Sequence, residues 1–280
     1  MAIKDILLPL VGEPDAAAIA AIEKCMAVAG DIGARVTAIA VEEEIVVRPT
    51  VMIAADLADV GLAEAVRSVT DAGGLLRATD LAAVRFGVGC DHQLIRLSPL
   101  DIAERFVQAA RLKDLSIVPL KSGSNQSQDI IERLIFESGR PILICPERLA
   151  GELRVAFDRV VIAWDHTAQA ASAVADALPM LQAAASVAIV TAVDDPTAAQ
   201  LSSGAALVGH LAKHGIQASF ETLDVDGSSV GKVLEAFVNR KASDLLVMGA
   251  YRHSRLAESL WGGATKTVIG QPPCWVMMSH

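Results

Sequence analysis

The stretch of this chain best equipped for chemistry runs from Met248 to Thr265, MGAYRHSRLAESLWGGAT. Gly249 follows a short apolar run, and a glycine there lets backbone approach a ligand without a Cβ in the way. Gly262-Gly263-Ala264-Thr265 then opens a short helix, expected over Thr265 to Ile269. Its unpaired N–H groups and positive dipole end make a natural anion site. Arg252, His253, Arg255 and Lys266 lie around it, so a phosphate suits the ingredients.

Other groupings carry less. His210 and His214 sit four apart in HLAKH, but the Glu that follows the first His in zinc proteases is absent, so surface histidines are the expectation. Cys90 and His92 flank Asp91 without a further ligand in view. Asp165 and His166 could suggest acid–base chemistry, yet a loop Asp capping the next helix explains that residue without it. Ser122 to Ser127, SGSNQS, resembles the Ser/Gly loop of ATP pyrophosphatases but follows the wrong strand, and reads as a polar turn. No Walker loop, dinucleotide Gly-x-Gly-x2-Gly or Ser/His/Asp order occurs. No catalytic or metal-ligating residue is nominated. Trp164, Trp275 and Phe237 read as packing residues, while Trp261, just before Gly262, could wall a groove.

The elements that position these residues occur twice. Both halves begin with an apolar strand, ILLPL from Ile6 and VVIAW from Val160. An Ala-rich helical segment follows, marked by Ile19, Ile22 and Met26 in one half and by Val174, Leu178 and Leu181 in the other. Second strands start at Val36 and Val187. Later helices carry Ile102 and Phe106, or Val233, Leu234 and Phe237. Each half closes on a Pro and a hydrophobic strand, Pro141 with ILIC and Pro273 with CWVMM. Continuously apolar strands alternating with helices imply an α/β fold: two tandem five-stranded, doubly wound, parallel-sheet (Rossmann-like) domains. Ligand crevices belong beyond the carboxyl ends of the strands, where strand order reverses. The polar stretch Glu147 to Arg154 marks a boundary, giving domains 1–147 and 155–280. The first domain is longer because a helical region is inserted at about residues 45–80.

Composition limits the partners. The 280 residues carry a formal net charge of -9, which argues against nucleic acid or an anionic membrane surface as general partner. No uninterrupted apolar stretch of about eighteen residues occurs, so a soluble cytoplasmic protein is expected. Cys25, Cys90, Cys145 and Cys274 are widely spaced and read as small core hydrophobes of a reducing compartment.

Gly249, two residues, Arg252, nine residues and Gly262 reproduce the spacing Gly-x2-Gly-x9-Gly-Ser/Thr of the universal stress protein family, which the whole chain resembles as a tandem member. Register is kept and residues are not: the second Gly is Arg252, the Ser/Thr is Gly263, and a Thr comes two later at Thr265. The resemblance implies binding of ATP or another adenine nucleotide, with Mg²⁺ accompanying it. It places Ala163, Asp165, Ala192 and Met248 at the adenosine part, and Gly249, Arg252, Gly262, Gly263, Ala264 and Thr265 at the phosphates. Arg252 has two readings, pairing with a phosphate or filling the groove against a triphosphate. In the first half Val11 stands where Asp165 stands, and no Gly-Gly precedes the helix expected over Asp129 to Glu137. That half is therefore expected to be structural or partner-facing.

The resemblance also implies that the two last strands lie side by side, with association of further chains left open. The function expected is a stress-response binding module, at most weakly hydrolytic, that reports ligand occupancy to a protein partner. The alternatives are a purely structural interaction protein and an ATP-using adenylyl-transfer enzyme.

Overall fold

The computed structural model describes residues 2–44, 54–121, 123–147, 156–194, 196–250 and 263–280. The apolar runs become strands and the 3.6-period segments between them become helices. In the first half these are β1 (Asp5–Leu10), α1 (Ala16–Ile32), β2 (Arg35–Glu43), α2 (Ala54–Phe86), β3 (Cys90–Leu97), α3 (Ile102–Ala110), β4 (Leu115–Leu120), α4 (Asn125–Glu137) and β5 (Ile142–Pro146). The second half repeats the order with β6 (Arg159–Ala163), α5 (Ala168–Ala183), β7 (Ser186–Ala192), α6 (Ala198–Lys213), β8 (Ala218–Leu223), α7 (Val230–Lys241), β9 (Leu245–Gly249), α8 (Gly263–Gly270) and β10 (Trp275–Ser279).

All of these strands lie in one sheet, ordered β3-β2-β1-β4-β5-β10-β9-β6-β7-β8. Within each half every strand pair is parallel. The halves meet where β10 pairs antiparallel with β5, Met277 opposite Leu143. Each half is thus a doubly wound five-stranded unit, and neither β5 nor β10 is left as an open edge. The order in which strands are added reverses between β1 and β4 and between β6 and β9, which sets one crevice in each half.

Alternate strand residues feed opposite faces. Ile6 and Leu8 pack with Ile22 and Met26 on one face, as Val160 and Ile162 do with Val174 and Leu181. Leu7 joins Phe106 and Leu134 on the other, as Val161 joins Phe237 and Val268. Phe106 and Phe237 are almost wholly buried, and burial of each contributes about 1.5–3 kcal/mol. A duplicated aspartate, unread in the sequence, fixes the strand starts. Asp114 Oδ2 accepts from the N–H of Lys4 and Asp5 at 2.8 and 3.0 Å, and Asp244 Oδ2 accepts from that of Arg159 at 2.8 Å.

Three local expectations change. The helix expected from Asp129 begins at Asn125, because Ser124 caps it by accepting from Ser127 N at 3.2 Å. The polar run is therefore the cap and first turn of α4 rather than a turn between elements; Ser122 lies outside the described residues. The cap of α5 is Thr167, which accepts from Ala170 N, while Asp165 holds that cap residue by accepting from Thr167 N and Oγ1 at 3.1 and 2.6 Å. The extra length of the first half is a lengthened crossover helix: α2 has 33 residues against 16 in α6. That is roughly 25 Å of additional helix at 1.5 Å per residue. The helix continues to Phe86, beyond the expected limit at 80, and residues 45–53 lie outside the described set.

Candidate functional site

At the carboxyl ends of β6, β7 and β9 lies a cavity of about 530 Å³. Ala163 and Asp165 reach it from the end of β6, Ala192 from β7, Met248 and Gly249 from β9, and Gly263, Ala264 and Thr265 from the first turn of α8. The eight described members of the ten-residue set nominated from sequence therefore line one space. Arg252 and Gly262 lie outside the described residues, as do His253, Arg255 and Trp261.

Local structure explains the positions. Trp164 is clamped at the end of β6: its N–H donates to Val190 O at 2.8 Å, its carbonyl accepts from Thr191 Oγ1 at 2.7 Å, and its Nε1 donates to Ser203 Oγ at 2.8 Å. The ring packs on the α5/α6 side of the sheet beside Ser203 and His166, so it anchors the end of β6, where the residue borders the cavity. Asp165 follows it into solvent on the Asx turn that starts α5. A Cβ on Gly249 would sit 2.5 Å from Ala170 N and 2.7 Å from Gln169 C. Glycine is therefore required there by the first turn of α5, which occupies the side where a Cβ would point, while Gly249 itself still lines the cavity. Gly263 differs: among the described residues nothing lies within 4 Å of its Cβ position.

Two helix N-termini reach the cavity. One is α8, already helical at Gly263, its first described residue and two before the expected start; the other is α7, whose cap Ser229 lines the cavity and accepts from Lys232 N at 3.4 Å. Each carries about half a positive charge at its N-terminal end. They converge because Gly231 lets α7 pass against Thr267, whose Cβ would lie 2.6 Å from a Cβ at that glycine. Among the described lining residues Asp165 is the one carboxylate, and neither Lys nor Arg occurs. Just past the rim Asp194 accepts from Asp226 N and Val225 N at 2.9 and 2.8 Å. The Asp226 N–H above all holds its carboxyl below the usual range, while hydrogen bonding with Asp194 pushes Asp224 up.

Sequence reasoning missed Ser229, Val230 and Leu234 of α7 and Gln200 of α6. The pattern Thr197-x2-Gln200 was readable as a capping box, but its facing the crevice depends on how α6 packs.

The first crevice, lined by Pro9, Val11, Lys121, Gln126 and Glu147 among others, holds about 60 Å³. Two of its lining side chains are already engaged by acidic neighbours. Lys121 Nζ donates to Asp15 Oδ2 at 3.0 Å, and Gln126 Nε2 donates to Glu43 Oε1 at 2.6 Å. The Ala18 N–H and Lys121 hold Asp15 low, Asp15 raises Lys121, and burial first, then Asp15, pushes Glu147 up.

Residues 156–280 match the model of the universal stress protein family. The second half of this chain is a universal stress protein domain. Over the whole length the fold is that of solved universal stress proteins. One from Archaeoglobus fulgidus DSM 4304 is 14% identical, with 98% of this chain and 97% of that one covered at a TM-score of 0.68. A putative universal stress protein from Pseudomonas aeruginosa UCBPP-PA14 is 15% identical, with 99% and 93% covered at 0.60. A further universal stress protein, solved in complex with cAMP, is 15% identical, with 51% of this chain and 97% of that one covered at 0.35. No curated protein matches the chain. Among the described residues no helix is long and apolar enough to cross a membrane, and no group of three or more His, Cys, Asp or Glu could hold a metal ion. His210 and His214 are exposed, with ring centroids 4.9 Å apart.

Proposed function

We propose that the universal stress protein domain of this chain binds an adenine nucleotide, or another phosphate-bearing ligand, in the crevice beyond β6, β7 and β9. Its occupancy is reported to a protein partner. The observation that carries this is convergence: residues from four separate segments, nominated from the family resemblance, line one cavity of about 530 Å³. That volume falls within the roughly 300–1,000 Å³ of small-molecule sites. Asp165, Ala163, Ala192 and Met248 serve the adenosine part; Gly249, Gly263, Ala264 and Thr265 serve the phosphates, with Arg252 and Gly262 completing that end. Two helix N-termini favour negative charge there. ATP is the fullest ligand, with Mg²⁺ beside its phosphates.

In this reading the chain divides into 1–147 and 155–280 and works in the cytoplasm, away from nucleic acid and membranes. The first unit, with its crevice of about 60 Å³ and its lining Lys121 tied to Asp15, is structural or partner-facing. Isothermal titration of the purified chain with ATP, ADP and AMP tests the proposal. Heat of binding from at least one is expected; silence from all three at millimolar ligand removes it and leaves a protein-interaction scaffold.

A further inference from the structure

We infer that Gln200 selects the base of the ligand by donating from its amide nitrogen to ring nitrogen N1 of adenine. Gln200 lies in the first turn of α6, half-buried, on the wall of the second crevice. Its two ends have different duties. Oε1 accepts from Thr197 N at 2.9 Å and from Thr197 Oγ1 at 3.0 Å, and Thr197 Oγ1 in turn accepts from Gln200 N at 3.3 Å. A backbone N–H can only donate, so the oxygen must face Thr197 and the NH₂ is what remains for the crevice. Among the described residues that nitrogen has no protein acceptor.

The choice of residue sharpens the point. Glu closes a capping box as well as Gln does, and its charge suits the first turn of a helix. Gln gives up that charge, and what it holds that Glu lacks is the NH₂ group. Adenine offers an acceptor at N1 where hypoxanthine offers N1–H, so a fixed donor favours the first and opposes the second.

The assignment rests on the nucleotide reading above and adds the base to it. The test is the ratio of AMP to IMP affinity, measured by titration for the wild type, Gln200→Glu and Gln200→Leu. The two ligands share one phosphate, so repulsion by a new carboxylate cancels in the ratio. The wild type should prefer AMP by roughly tenfold or more, the usual cost of one mismatched buried hydrogen bond. Gln200→Glu keeps the acceptor for Thr197 and should shift the ratio toward IMP by at least about tenfold. Gln200→Leu, which removes the donor without adding charge, should bring the two ligands within about twofold of each other. No AMP preference in the wild type, or the wild-type ratio retained in either variant, overturns the role of Gln200 and leaves nucleotide binding standing. No binding of either ligand to the wild type overturns both.

Discussion

Gly249 shows how a residue can be picked correctly for an incomplete reason. Its place in the motif spacing pointed to close approach by a ligand, but the Cβ position is filled by the backbone of Gln169 and Ala170. Such contact cannot be seen in sequence, since it joins residues 79 apart. Gly249→Ala is expected to destabilise the chain by about 1–3 kcal/mol in denaturant unfolding, as overpacking against backbone does. It should also weaken nucleotide binding, because the turn it displaces carries Asp165 and Thr167. Wild-type stability in that variant would mean that α5 yields easily. Asp165 itself was legible as an exposed loop acid, though not its job of holding the Thr167 cap.

At the scale of elements, the convergence of α7 and α8 gives the crevice its two positive ends. Gly231 permits it, lying where a Cβ would come 2.6 Å from that of Thr267. Gly231→Ala is expected to push the helices apart, with a loss of about 1–3 kcal/mol in unfolding and weaker binding of phosphate-bearing ligands in titration. Unchanged affinity in a folded variant would separate the helix ends from ligand binding. Helix identity was readable from spacing, as with Ile102 and Phe106 in α3 or Leu234 and Phe237 in α7. Helix starts were less so: the caps Ser124 and Thr167 each sit beside other polar residues that could serve, and only packing selects between them.

Across the whole molecule the duplication was legible because each unit repeats its apolar runs. The aspartates that lock the strand starts were not, since Lys4 and Asp114 are 110 residues apart. The two units share a fold and differ in what fills the crevice. In the first, Glu147 is half-buried beside Asp15, and burial raises its pKa. A carboxyl raised in the folded chain weakens the fold above that folded pKa and costs nothing below the unfolded value of about 4.5. Glu147→Gln should therefore raise the thermal midpoint slightly at pH 7, and the gain should vanish as pH falls below the unfolded value of about 4.5. An equal gain at both pH values would contradict the burial of this group.

The most direct measurement of the central claim is a crystal structure of the chain grown with AMP. Nucleotide density is expected in the second crevice alone, with the phosphate at the N-terminal end of α8 and the adenine toward Ala192 and Gln200. Density in the first crevice instead, or an empty second crevice at saturating AMP, would contradict it.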